Sequence, residues 1–143
     1  MFSARFLVVD DDVAGLYALA ESLRRRLPDV TVDTASSAER ALVLLAAARF
    51  DLVLTDFSMP GMDGLGLLRQ IKAVQPGCAV FLMTGCDMGV RAEALRLGAA
   101  GFLHKPIFVS EVLPLFGKAI KEISLLGHQL AGSHPEREGT PST

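Results

Sequence analysis

The 143-residue chain has little cysteine, no excess of basic residues and no long apolar run. Each absence excludes a class of protein. Two cysteines, Cys78 and Cys86, are too few for a disulfide framework and lack the CxxC spacing of zinc or thioredoxin-like sites. They read as reduced thiols of a cytoplasmic protein. Lys and Arg number 14 against 16 Asp and Glu, a formal net charge of −2. That balance excludes a nucleic-acid-coating protein and a polybasic membrane anchor. The longest apolar run, 41–48, ends at Arg49 and is too short to span a bilayer. Asp10, Asp11 and Asp12 directly follow the apolar run 6–9, which is no pattern for a secretory signal. No GxxxxGK or GxGxxG pattern occurs, so nucleotide binding has no support. What remains is half hydrophobic and 21% charged, enough for one domain with one core.

Short runs rich in Val, Leu and Phe begin at 6, 30, 52, 79 and 101, and segments of helical period lie between them. This rhythm predicts strand and helix in alternation. The first helix carries Leu16, Leu19, Ala20, Leu23 and Leu27 on one face and ends in Arg24, Arg25 and Arg26, where cations suit the helix dipole. Ser36 and Glu39 are spaced as a capping box for the second, which carries Ala38, Ala41, Leu42 and Leu45. Asp63 is placed to cap the third, with Leu67, Leu68, Ile71 and Val74 inward. The fourth runs from about Gly89 to Leu97 and stops at Gly98. The fifth carries Val112, Phe116, Ile120 and Ile123, and Pro114 requires it to start late or to kink. Five strands alternating with five helices predict an α/β domain, a doubly wound parallel sheet covered on both faces. Its second strand alternates and so reads as an edge. Residues 1–126 form this domain; residues 127–143, rich in Gly, Ser and Pro, read as a flexible tail.

In such sheets ligands sit beyond the carboxyl ends of the strands. Asp10 and Asp11 follow the first strand, Asp56 ends the third, Thr84 the fourth, and Lys105 follows the fifth. Three carboxylates brought together repel one another and recruit a cation. All-oxygen donors suit a hard divalent ion, Mg²⁺ or Mn²⁺. A carboxylate can also act as a nucleophile toward phosphorus, with Lys105 and Thr84 supplying charge and a hydrogen bond. Asp10, Asp11, Asp56 and Lys105 together carry the chain's whole formal net charge of −2. Asp12 reads as the start of the first helix, and His104, next to Lys105 on a strand, faces the other way.

The stretches LVVDDD (7–12), LVLTDFSMPGMDG (52–64), FLMTG (81–85) and GAAGFLHKP (98–106) resemble the receiver domain of two-component response regulators in order and spacing. The resemblance covers about residues 4–125. It implies a CheY-like, flavodoxin-like fold with strand order 2-1-3-4-5. It implies Asp56 as phosphoacceptor, fed by a histidine kinase or histidine phosphotransfer protein in a phosphorelay. Asp11, Asp56 and the backbone carbonyl of Ser58 would bind Mg²⁺ directly, and Asp10 through a water. Lys105 would pair with the phosphoryl group, with a cis bond to Pro106. Thr84 and Phe102 would be switch residues, Phe102 standing where many members have Tyr and so lacking the phenolic hydroxyl. Positions Ser58 and Cys86 would tune the phosphoryl lifetime. The face of the fourth helix, fifth strand and fifth helix would then engage a downstream effector or a phosphorylation-dependent dimer. No direct nucleic-acid or membrane contact is expected of this chain, and its only chemistry would be self-directed.

Two other readings differ in mechanism. Asp10 to Val13 resembles the DxD opening of haloacid-dehalogenase-like phosphatases, with Asp10 as nucleophile, but Ala14 departs from that pattern and no distal acidic pair follows. A phosphorylation-independent interaction module on the same fold would have no need of the complete set of Asp10, Asp11, Asp56, Thr84 and Lys105.

Overall fold

A computed structural model describes residues 4–85 and 89–119. Its elements run β1 (Arg5–Val9), α1 (Val13–Arg26), β2 (Thr31–Ala35), α2 (Ala38–Ala47), β3 (Leu52–Asp56), α3 (Gly64–Val74), β4 (Ala79–Thr84), α4 (Arg91–Arg96) and β5 (Gly101–His104). A helical stretch over 109–119, α5, follows. The strands form one parallel sheet in the order β2-β1-β3-β4-β5. The fold is therefore the doubly wound one that the alternation predicts. Among the described residues, no helix is long and apolar enough to cross a membrane.

Alternating strand residues face two cores, because successive side chains of a strand point to opposite sides. Leu7, Val9, Val53, Val80, Leu82 and Phe102 pack against α2, α3 and Ala94 of α4. Phe6, Val8, Leu52, Leu54, Phe81 and Met83 pack against α1 and α5. On this second side Phe116 meets Phe6 and Phe81 edge to face, with ring centroids 5.9 and 5.1 Å apart. All five residues of β3 are buried, as a central strand with both faces covered requires. β2 lies at an edge and is half exposed, as its alternation predicts.

Several local expectations are corrected. The cap of α2 is Ser37, whose side chain accepts from the backbone N–H of Arg40, so the Ser36–Glu39 box does not form. Glu39 instead reaches the N–H of Met62, in the loop after β3. Val74 is 58% exposed: it falls on the last turn of α3, where the apolar stripe has already passed the sheet. The helix α4 begins at Arg91 rather than Gly89, whose φ is positive, and Gly98 ends it with φ +103°. Pro114 stands inside the helical stretch 109–119, beyond its first turn, on its exposed side. There the carbonyl deprived of a helical partner can be met by water. Asp63 does cap α3, accepting from Gly66 N–H at 2.9 Å. Ile120, Ile123, Cys86, and the tail at 127–143 with His128 and His134 lie outside the described residues.

The end of the sheet away from the site is clamped by one side chain. Gln75 donates from Nε2 to the carbonyls of Leu45 and Ala48 and accepts at Oε1 from the N–H of Phe50. It thus satisfies the last turn of α2 and the entry to β3 together. Cys78 is buried beside it, and burial pushes its thiol up to about 12, so it stays protonated and unreactive at neutral pH. Replacing Gln75 by Ala leaves three backbone groups without that partner. The expected loss is about 1–3 kcal/mol, read from urea unfolding of the Gln75→Ala variant.

Candidate functional site

The carboxyl ends of β1, β3, β4 and β5 converge on one edge of the sheet. Asp10 follows β1 and is 5% exposed; Asp56 ends β3 and is 7% exposed. Asp11, one residue beyond Asp10, is exposed. The three carboxylates bring one oxygen each within 4.8 Å of one another. Lys105 reaches across from the segment after β5, its Nζ 3.1 Å from Asp10 Oδ2 and 3.0 Å from Asp56 Oδ1. Thr84 is buried at the end of β4, and its backbone carbonyl accepts from the Lys105 N–H. The Lys105–Pro106 bond is cis, as the family resemblance implies. The structure thus brings together Asp10, Asp11, Asp56, Thr84 and Lys105. Ser58 is exposed in the loop leaving β3, two residues past Asp56. Phe102 is set apart from the carboxylates, buried against the α2, α3 and α4 side.

Burial raises the pKa of Asp56 above the ordinary carboxylate value. The hydrogen bond from Lys105 opposes that shift, and the charges of Asp10 and Asp11 add to it. Lys105 is held above its ordinary range: burial works against its charge, but bonds to Asp56 and Asp10 outweigh it. The carboxylates are an oxygen donor set suited to a hard divalent cation, and the repulsion among them is what such a cation would relieve. Asp11 leaves that cluster open to solvent.

Asp10 is held by two bonds. Its Oδ2 is bonded to Lys105 and its Oδ1 accepts from the N–H of Asp12 at 3.0 Å. His104 shares a strand face with Phe102 rather than with Lys105, as alternation requires.

Two contributors escape sequence reasoning. Gly64 looks like a turn residue, yet a Cβ there would lie 2.5 Å from the Asp56 carbonyl oxygen and 2.8 Å from Phe57 Cα. The start of α3 therefore touches the backbone at the end of β3, and only glycine permits that approach. Arg91 is the second: its guanidinium carbon lies 5.1 Å over the Phe102 ring. In the sequence it is one surface arginine among many.

A doubly wound α/β domain with a lysine-bridged carboxylate cluster at the carboxyl edge of its sheet has the architecture of a receiver domain. The family model for the response regulator receiver domain matches residues 6–115, and the chain belongs to that family. It is 42% identical over 118 residues to the response regulator protein FleR of Pseudomonas aeruginosa, covering 81% of this chain. It is 37% identical over 114 residues to the DNA-binding transcriptional regulator NtrC of Salmonella typhimurium, covering 79% of this chain. In both cases the chain spans about a quarter of the relative's length, 24%. A receiver domain protein from Clostridium thermocellum superimposes with a TM-score of 0.80 at 32% identity, over 86% of this chain and 98% of that one.

Two expected outcomes follow from this geometry. A carboxyl whose pKa is raised by folding adds stability that is complete below its unfolded pKa and lost as pH rises through its folded pKa. At neutral pH the ionised Asp56 therefore subtracts from stability. In metal-free buffer, Asp56→Asn should unfold at higher urea than the wild type at pH 7, with the gain shrinking as pH falls through the carboxylate range. Gly64→Ala should lose about 1–3 kcal/mol in the same assay, because the added methyl must displace the backbone at Asp56.

Proposed function

We propose that this chain is a Mg²⁺-dependent phosphoacceptor switch in which Asp56 takes a phosphoryl group from the phosphohistidine of a sensor kinase or phosphotransfer protein. The observation that carries this reading is the bond from Lys105 Nζ to Asp56 Oδ1 inside the carboxylate cluster. A buried nucleophile, a fixed ammonium and a set of hard oxygen donors stand together at one solvent-accessible edge.

Asp11 and Asp56, with the Ser58 carbonyl, would hold Mg²⁺ directly, and Asp10 would hold it through a water. The bound ion would neutralise charge on the cluster and on the incoming phosphoryl oxygens. The protein's own residues carry the rest. A carboxylate oxygen of Asp56 attacks phosphorus; the P–N bond breaks, and its electron pair stays on the imidazole nitrogen. The product is an aspartyl phosphate and a histidine that takes up a proton. Lys105, already bonded to Asp56 and Asp10, keeps an ammonium beside the oxygens where negative charge gathers. The Thr84 hydroxyl, on the strand next to β3, donates to a phosphoryl oxygen and so links occupancy of Asp56 to the α4–β5 side. That side and α5 form the face read by an effector or by a second copy of the chain.

In this reading residues 1–126 are the receiver and 127–143 a tail, and the protein works in the cytoplasm. Its transfer chemistry is confined to its own aspartate.

The test is intact mass after incubation with a small phosphodonor such as acetyl phosphate. One phosphoryl group should be gained with Mg²⁺ and none with chelator. Asp56→Asn should gain none, whereas equal labelling of that variant would remove Asp56 from the role. Lys105→Ala should slow labelling by about a hundredfold.

A further inference from the structure

The loop between β3 and α3 carries Ser58, whose carbonyl the receiver reading assigns to the cation. Its two ends are tied. The N–H of Gly64 donates to the Phe57 carbonyl at 2.8 Å, and the N–H of Phe57 donates to the Met83 carbonyl of β4 at 2.7 Å. Between those ties Ser58, Pro60, Gly61 and Asp63 are exposed. Met59 is buried against the α2 and α3 side, and Met62 packs partly on the same core. Asp63 caps α3.

A side chain from outside the loop closes on its far turn. Glu39, in the first turn of α2, accepts at Oε2 from the N–H of Met62, 3.4 Å away. The same oxygen would lie 3.2 Å from a Cβ on Gly61, with the rest of the carboxylate 3.9 Å from it. Gly61 has φ +76°, the left-handed region that glycine adopts without strain. The Glu39 carboxylate thus rests on the bare backbone of Gly61 and Met62, where a side chain on residue 61 would crowd it. On the other side of the turn, Met62 Cγ would lie 2.9 Å from a Cβ on Gly66 of α3. Residues 61 and 62 are therefore held between the first turns of two helices.

The helix α2 has no need of this contact. Ser37 caps it already, and an acidic side chain in a first turn interacts with the helix dipole in any rotamer. What the reach to Met62 fixes is the loop. A peptide carbonyl has no side-chain torsion to adjust, so as a metal ligand it is only as well placed as the backbone that carries it. Groups that orient a ligand in this way set metal affinity without touching the metal. Glu39 does not belong to the cluster of Asp10, Asp11 and Asp56.

We propose that Glu39 is a positioning residue for the cation: by bonding the Met62 N–H it holds the 57–64 loop against α2 and so fixes the direction of the Ser58 carbonyl. This rests on the receiver reading above. Glu39 acts by the reach of its side chain and not by its charge. The two are separable. Glutamine keeps the length and an acceptor oxygen without the charge; aspartate keeps the charge and is one methylene shorter.

The experiment titrates the whole chain with Mg²⁺, without phosphodonor, and follows the backbone amide NMR signals of Asp11, Ser58 and Met62. In Glu39→Ala the Mg²⁺ dissociation constant should rise about three- to tenfold, at or below the lower end of what a partner bonded to a ligand itself costs. Glu39→Asp should weaken binding similarly, and Glu39→Gln should stay close to the wild type. Hydrogen exchange at the Met62 amide should speed up in the Ala and Asp variants alone. Amide signals of the sheet should not move in any of them. An unchanged Mg²⁺ affinity in Glu39→Ala overturns the role. So does a Glu39→Gln chain as weak as Glu39→Ala, which would assign the effect to charge, and so does a change spread through the sheet signals. A wild-type chain that binds no Mg²⁺ overturns the metal-dependent receiver reading itself, whatever the variants do.

Discussion

Three carboxylates held within a few ångströms of one another, two of them buried, are the constraint on which the rest of this structure turns. No fold gains stability from such an arrangement alone. It persists because the sheet delivers Asp10 and Asp56 from adjacent buried strands and because Lys105 bonds both. The price is a raised Asp56 and a charge that invites a cation. Neither serves stability.

The scaffold around this site is organised to keep it in place. β3 is buried along its whole length, so Asp56 has little freedom at its backbone. The glycine that opens α3 lets that helix lie against the Asp56 carbonyl, and the cap at Asp63 fixes the same turn. At the other end of the sheet Gln75 joins α2, α3 and the entry to β3. The fourth helix is different. It is six residues long, and its contacts include ion pairs and a cation over a ring.

The elements and the strand order were legible in the sequence because they follow from periodicity and from a rule of sheet topology. Runs of Val, Leu and Phe every two dozen residues leave few alternatives to a parallel sheet, and groups at strand ends must then converge. Where expectation failed, competing local signals decided. Ser36 and Ser37 are both able to cap α2, and the chain entering from β2 selects the second. Val74 fits the helical period, but the helix outruns the surface it packs on. Pro114 calls for a late helix start or a kink; it stands beyond the first turn on an exposed helical side, where its missing donor does little harm.

By itself the sequence determined the class of fold, the family, and the five polar side chains that meet at one edge. Those depend on residue type, spacing and chain direction, all of which are written linearly. Tertiary structure decided which oxygens Lys105 bonds, that Asp10 accepts at both of its oxygens, and that Gly64 touches the end of β3. It also decided that Arg91 covers Phe102. These are contacts between segments distant along the chain, at separations of a few ångströms. Spacing along the chain places such groups in a neighbourhood, and only packing sets which atoms touch.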